Sequence, residues 1–165
     1  LDPDARWIGK HRKSLQACYA RSPYYREVID EVIDPVYCAV GTRWTNMASF
    51  NGAMIQSICR YLAIDTPVSR AGDCCLSSHS TNRLIELVRA VGGKAYLSGR
   101  GGDNYQDAAA FAEAGIELTY TDFVHPRYEQ LWGPFESNLS VIDWLFNCGR
   151  AAAERIHAAP VASEV

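Results

Sequence analysis

Residues 80–121 read STNRLIELVRAVGGKAYLSGRGGDNYQDAAAFAEAGIELTYT, and this stretch decides the fold class. Its segment Asn82–Val91 carries leucine and valine at three-to-four spacing, which is the period of one helix face. Gly92 ends this predicted helix, because glycine adopts a positive φ without strain. Ala95–Leu97 is a short strand candidate that leads directly into a glycine-rich loop. Helix followed by strand is typical of an α/β domain.

The same alternation continues on both sides. Residues 107–114 predict an alanine-rich helix closed by Gly115, and Ile116–Thr121 alternates apolar and polar residues as a strand does. On the amino-terminal side, Pro67–Arg70 is a further strand candidate. Strands joined through helices are normally parallel, with right-handed crossovers. The predicted fold class is therefore α/β, with a parallel β-α-β-α-β core.

Helices are expected before this core. Apolar spacing predicts a first helix at 8–20 and a second that opens at Pro23, a residue the first helical turn tolerates. The Asp34-Pro35 step is expected to end the second helix, because the residue before proline is pushed out of helical geometry. A longer helix is predicted from about Trp44 to Leu62. The core thus carries additional N-terminal helices.

A C-terminal helix follows the core. Ser140 is an N-cap candidate, and the helix is expected to end near Gly149. We therefore predict a single α/β domain over residues 1–150, followed by a C-terminal helical extension and tail over 151–165.

Composition narrows the function classes. The chain has 165 residues, 48% hydrophobic and 21% charged, which suits one globular domain. A net charge of −3 argues against a nucleic-acid duplex as partner, and the absence of a long apolar run argues against a membrane span. The scattered cysteines lack zinc-site spacing, so we expect no metal site and a cytoplasmic location. Without an initiator Met, the chain is expected to be a piece of something longer.

Polar segments follow all three predicted strands, at 71–80, 98–106 and 122–130. In parallel sheets, ligands bind outside the carboxyl ends of the strands. We therefore predict one ligand site for a small-molecule substrate, near Asp73, Arg100 and His125.

The 98–106 segment predicts an anion or carboxylate cradle. Glycines let backbone amides approach an oxyanion, and an arginine forms a bidentate clamp. The alternative is a simple flexible turn. The substrate-binding candidates here are Ser98, Gly99, Arg100, Asp103 and Tyr105.

The 122–130 segment carries the candidate acid–base chemistry. Histidine is the natural general base or acid near neutral pH, which makes His125 the candidate, with Asp122 as its orienting partner. Tyr128 and Gln130 are predicted to orient the substrate by hydrogen bonds. The alternative is a structural histidine.

Two further groups are weaker candidates. Lys10 and His11 lie at the start of the first predicted helix and are predicted to reach the substrate. Cys74 and Cys75 stand before a helix start, where a thiolate gains nucleophilicity; this makes a cysteine hydrolase conceivable, although adjacent cysteines in a loop more often pack.

Several segments, taken in order, resemble the WbqC-like family over about residues 5–149. The most specific are Tyr96-Leu97-Ser98-Gly99 and the run Asp122-Phe123-Val124-His125-Pro126-Arg127-Tyr128-Glu129-Gln130. They are followed by Leu139-Ser140-Val141-Ile142-Asp143, and preceded by Trp7…Lys10-His11 and Ser22-Pro23-Tyr24-Tyr25.

The resemblance implies a role in polysaccharide (O-antigen) or natural-product biosynthesis, with glycine-type aminoacyl or acyl transfer to an amine. It is compatible with an activated acyl donor or a nucleotide as co-reactant, and it identifies no certain cofactor. Family members usually begin with Gln-Pro-x-x-Phe-Pro-Tyr-x-Gly-Tyr, which this sequence lacks. We therefore expect part of the family's site to lie outside the printed residues.

Three functions remain open at this point. The first is an acyl or aminoacyl transferase that uses His125 and the 98–103 loop. The second is a non-catalytic module that binds a ligand, a second copy of the chain or a biosynthetic partner protein. The third is a cysteine-dependent hydrolase.

Overall fold

The computed structural model describes residues 6–102, 104–121 and 123–157, with the side chains of 155–157 left out. Within that part the chain forms two compact units. The first contains the described residues of Leu1–Thr66 and His125–Ala158, and the second those of Pro67–Val124. The prediction of one domain over 1–150 stays a prediction.

The first unit is helical. Its amino-terminal helices are α1 (Arg6–Tyr19), α2 (Tyr25–Val28), α3 (Asp34–Tyr37) and α4 (Met47–Tyr61), and its carboxyl-terminal helices are α7 (Val141–Cys148) and α8 (Ala151–His157). A π-helical turn, Ile29–Ile33, joins α2 to α3.

The prediction that the second helix ends at Asp34-Pro35 is wrong, because helical structure continues through Tyr37. The π-helical turn closes with a bond from the Asp34 N–H to the Ile29 carbonyl. Pro35 then lies in the first turn of α3, where a missing N–H is tolerated. The wider turn accommodates a proline that an uninterrupted α-helix would exclude.

Helix caps in this unit follow the sequence closely. Asn46 caps α4 by accepting a bond from the Ser49 N–H at 2.9 Å. Ser140 caps α7, as predicted, and Gly149 ends it with a φ of 57°. A side chain at Gly149 would collide with the Tyr24 ring, so that position requires glycine for both conformation and space.

The core of the first unit is rich in aromatic residues. Val28, Val32, Leu145 and Phe146 are fully buried at its centre. Phe146 stacks on Tyr19 with ring centroids 4.8 Å apart and lies 5.4 Å from Tyr25. These rings hold α7 against the amino-terminal helices.

The second unit contains the parallel sheet. Its elements are α5 (Ser80–Ala90), β1 (Ala95–Gly99), α6 (Ala108–Glu113) and β2 (Glu117–Thr121). Strands β1 and β2 pair in parallel, with Ala95 opposite Glu117 and Gly99 opposite Thr121. The predicted α/β class, with parallel strands joined through a helix and further helices on both sides, is confirmed.

The predicted strand at Pro67–Arg70 is wrong, because these residues form no strand and lead into a 3-10 turn at Ala71–Asp73. Their apolar content is confined to Val68, which is exposed. A four-residue segment with one apolar side chain lacks the cross-strand packing that stabilises a strand. In the described chain, the exit near Asp73 is therefore not the end of a strand.

A small core closes the second unit. Ile85 and Val88 of α5 pack with Phe111 of α6 and with Ile116, which precedes β2. Phe111 is fully buried and stacks on Tyr96 at 5.5 Å. Asp107 caps α6 by accepting bonds from the Ala109 and Ala110 N–H groups. Among the described helices of the whole chain, none combines the length and apolar character that a membrane span requires.

Candidate functional site

A buried carboxylate organises the polar centre of the first unit. Asp143, in the first turn of α7, is only 5% exposed. Its Oδ2 accepts a hydrogen bond from the Tyr128 hydroxyl at 2.7 Å and another from the Gln130 amide at 3.1 Å. A carboxylate removed from water requires such donors, because its burial is otherwise strongly unfavourable. Asp143 thereby ties the segment after His125 to α7.

Gln130 also closes the loop that follows it. Its Nε2 donates to the Glu136 carbonyl at 2.9 Å, and its Oε1 accepts from the Glu136 N–H at 2.8 Å. Through these two bonds the Gln130 side chain pairs with the Glu136 backbone as a neighbouring strand would, and it holds residues 130 and 136 together. The predicted role of Gln130 in orienting substrate stays a prediction; in the structure its amide holds the chain itself.

Two tyrosines have pKa values that the Asp143 carboxylate helps to raise. Burial raises the pKa of Tyr128 to about 12, and the hydrogen bond to Asp143 adds to the shift. Burial likewise raises the pKa of Tyr19 to about 12, with the charge of Asp143 and a hydrogen bond to it as further causes. Both hydroxyls are therefore protonated donors at neutral pH.

His125 lies among aromatic rings in this unit. Its ring centroid is 5.8 Å from Tyr128, 6.0 Å from Phe135 and 5.9 Å from Trp144. Its Nδ1 is 3.1 Å from the Pro126 carbonyl oxygen. Since a carbonyl only accepts, Nδ1 carries the proton and Nε2 carries the lone pair of the neutral ring.

The predicted residues of α1 have other neighbours. His11 contacts Trp7, with ring centroids 5.1 Å apart, and its Nδ1 lies 3.3 Å from the Tyr37 hydroxyl. Burial raises the pKa of Tyr37, so this hydroxyl is a neutral partner for the imidazole. Lys10 is exposed on the same helix. The ring contacts of His125, in contrast, are made by the segment 128–144.

The glycine-rich loop belongs to the second unit. Ser98 is buried, and its Oγ donates to the Gly99 carbonyl at 3.1 Å and accepts from the Gln106 amide at 2.9 Å. A Cβ on Gly102 would collide with both of these side chains, so a larger residue there would displace the Ser98–Gln106 contact. Arg100 and Tyr105 are exposed on the loop.

The two cysteines of the polar segment 71–80 carry free thiols. The Cys74 Sγ lies 4.0 Å from the Arg70 carbonyl, and Cys75 is exposed. No cluster of three metal-ligating side chains occurs in the described chain.

The predicted site residues thus fall into the two units. The first holds Lys10, His11, His125, Tyr128 and Gln130, and the second holds Ser98, Gly99, Arg100 and Tyr105. The predicted residues Asp103 and Asp122 lie outside the described residues. That both groups form one site stays a prediction.

Sequence reasoning assigned no role to Asp143, Phe135 or Trp144. A signal was present, because Ser140 and Asp143 have the spacing of a helix-capping pair. That spacing predicts a carboxylate turned back to the helix start. In the structure the carboxylate instead accepts from Tyr128 and Gln130, which no local pattern reveals.

Comparison with known proteins identifies the family of this chain. The model of the WbqC-like protein family matches residues 1–155. The uncharacterized protein Rv1507c of Mycobacterium tuberculosis is 32% identical over 149 residues, covering 90% of this chain and 63% of that relative. The chain therefore spans less than two thirds of the relative's length. No solved structure matches significantly. The chain belongs to the WbqC-like protein family.

Proposed function

We propose that the chain contributes the general base of an acyl or aminoacyl transferase. The observation that carries this proposal is the environment of His125, with Nδ1 beside the Pro126 carbonyl and the ring among Tyr128, Phe135 and Trp144. A general base needs a defined tautomer and a held ring, and both are supplied by groups of the same unit. The family resemblance supplies the class of reaction.

The reaction balances as a nucleophilic acyl substitution. The acceptor amine forms a C–N bond to the acyl carbon of an activated donor, and the bond from that carbon to the leaving group breaks with its electron pair. Nε2 of His125 takes the proton lost by the amine and passes it to the leaving group or to water. The donor is an activated acyl compound such as an acyl adenylate or a thioester.

Asp143 is proposed as a positioning residue, since it acts on His125 through Tyr128, whose ring contacts the histidine. Its bonds to Tyr128 and Gln130 hold the chain on the carboxyl-terminal side of the histidine. Loss of the carboxylate is expected to lower turnover without a comparable loss of donor binding, because a misplaced base slows the chemical step.

The test is a product assay with the full-length protein. Activated glycine and short acyl donors are incubated with amino sugars and other amines, and amide formation is followed by mass spectrometry. We expect His125→Gln to reduce product formation at least about a hundredfold, the range of a lost general base. His79→Gln, at an exposed histidine of the second unit, is the matched control and is expected to retain activity.

Two results would contradict this proposal. Full activity of a correctly folded His125→Gln protein removes the general-base role. A covalent acyl adduct on Cys74 or Cys75, with loss of activity in the double serine variant, assigns the reaction to the cysteine hydrolase class instead.

A further inference from the structure

A small cavity in the first unit lies away from every predicted site residue. Its walls come from α3, from the loop before α4 and from α4 itself, and its volume is about 150 Å³. The polar side chains that line it are Arg43, Trp44, Gln56 and Arg60. Pro35, Val36 and Ala53 form the apolar part of the wall. The lining contains two cationic side chains and no carboxylate.

The two arginines are exposed, and their charges are not compensated within the described residues. Within the described residues, neither Arg43 nor Arg60 forms an ion pair, whereas Arg12 pairs with Asp34 and Arg150 pairs with Glu27 and Glu31. Two neighbouring cations without a carboxylate attract an anion, and they attract it more strongly in a recess than on an open surface.

The Trp44 ring orients the guanidinium of Arg43. The Arg43 guanidinium lies over the Trp44 ring, 4.8 Å from its centroid. Stacking uses a face of the guanidinium and leaves the N–H groups at its edge, which match a planar pair of oxygen acceptors. Arg43 is thereby arranged for bidentate contact with an oxyanion.

A buried donor in the same wall lacks an acceptor. Trp44 Nε1 is buried and, in the described part of the chain, has no hydrogen-bond partner. Buried donors are nearly always bonded, and an unmade bond is unfavourable. Nε1 itself is closed to a water-sized molecule, so an anion in the cavity reaches it only if the indole shifts.

We propose that this cavity binds the phosphate group of a small ligand, held by Arg43 and Arg60. A volume of about 150 Å³ accommodates a phosphate or a small phosphate monoester. It is well below the roughly 300 Å³ at which pockets for drug-sized ligands begin, so a whole nucleotide does not fit inside. The inference is independent of the role proposed for His125.

The experiment measures thermal unfolding of the full-length protein during titration with inorganic phosphate, with sodium chloride keeping ionic strength constant. A ligand that binds the folded state raises Tm in a saturable way. We expect Arg43→Gln/Arg60→Gln to abolish the phosphate-dependent rise. Arg26→Gln, at an exposed arginine of α2 outside the cavity, is the matched control and is expected to keep it.

Trp44→Phe provides a second readout, because it removes the indole donor while keeping an aromatic ring for Arg43. It is expected to leave phosphate binding within about threefold of the wild-type value, because the two arginines hold the anion and the indole nitrogen is closed to it. A parallel titration with glycerol phosphate distinguishes a free phosphate from a phosphate monoester. Stronger binding of either probe, lost in the double arginine variant, supports the proposal.

Three results would overturn it. One is the absence of a saturable phosphate effect in the wild-type protein. Another is an unchanged effect in the double arginine variant, which places any phosphate elsewhere. The last is equal stabilisation by acetate at the same ionic strength, which removes the preference for phosphate.

Discussion

The first unit packs aromatic rings around a buried carboxylate, whereas the second packs a small aliphatic and phenylalanine core against a two-stranded sheet. In the second unit, contacts join elements that follow one another closely, such as β1 and β2. In the first, bonds join distant residues: the Trp132 indole donates to the Cys18 carbonyl, and the Tyr24 N–H donates to the Phe146 carbonyl. The difference separates structure encoded locally from structure that depends on tertiary assembly.

The largest expected effect comes from removing the central ring of either core. Phe146 and Phe111 are both 0% exposed and both stack on a tyrosine. We expect Phe146→Ala and Phe111→Ala each to lower the free energy of unfolding by about 3–5 kcal/mol, the usual effect of an emptied phenylalanine site. Denaturant unfolding measures the change, and Tyr105→Ala, at an exposed ring of the second unit, is the control.

A large loss of stability at only one of the two phenylalanines would contradict the expectation that both cores depend equally on their central ring. It would show that the other core relaxes around the cavity instead of keeping its packing. Little change at Tyr105→Ala is required for either reading, because an exposed ring contributes little to the free energy of unfolding.

The next largest effect is expected at Asp143, the buried carboxylate of the first unit. Asp143→Asn keeps the side-chain size but removes the negative charge from the group that accepts hydrogen bonds from Tyr128 and Gln130. We expect the free energy of unfolding to fall by about 1.5–3 kcal/mol, the range for hydrogen bonds to a charged group. Asp30→Asn, at an exposed carboxylate of the same unit, should change it by less than about 0.5 kcal/mol. Equal effects of the two substitutions would remove Asp143 from the centre of the network.

A smaller effect tests the turn of the second unit. Gly102→Ala introduces a Cβ that meets Ser98 and Gln106, and Gly101→Ala introduces one with no described atom within 4 Å. We expect the first to lower the free energy of unfolding by about 1–3 kcal/mol, as overpacking does, and the second to be close to neutral. Chemical denaturation of both variants measures the difference. Identical behaviour would show that the Ser98–Gln106 contact does not close the turn.

The smallest effect appears at alkaline pH. The pKa of Tyr128 is raised from 10.0 to about 12, so the folded state retains a proton that the unfolded state loses. This contribution to stability is complete below pH 10 and is lost as pH rises towards 12. We expect the free energy of unfolding to decrease less steeply over this window in Tyr128→Phe than in the wild-type protein. Parallel slopes would contradict the raised pKa.

Much of the second unit was predictable because its signals are local. Leucine and valine spacing predicted α5, Gly115 closes α6 with a φ of 69°, and the strand alternation predicted β2 within one residue. Pro67–Arg70 failed because one apolar residue is too little to hold a strand against a sheet. A four-residue sequence pattern does not show whether a neighbouring strand is available for pairing.

The first unit was predictable only in its helices. Ser140 and Gly149 marked the ends of α7 correctly, since capping depends on neighbouring residues. The continuation of helix through Pro35 depends on a π-helical turn that hydrophobic spacing does not reveal. The bond between Tyr128 and Asp143 spans fifteen residues and two elements, so it becomes visible only after folding.

The tautomer of His125 is the most direct test of the proposed chemistry, and it requires no substrate. Nitrogen-15 NMR of the imidazole at a pH where the ring is neutral distinguishes a protonated nitrogen from one that carries a lone pair. The bond between Nδ1 and the Pro126 carbonyl predicts a protonated Nδ1 and a lone pair on Nε2, the atom assigned as the base. A protonated Nε2 in the neutral ring would contradict that assignment.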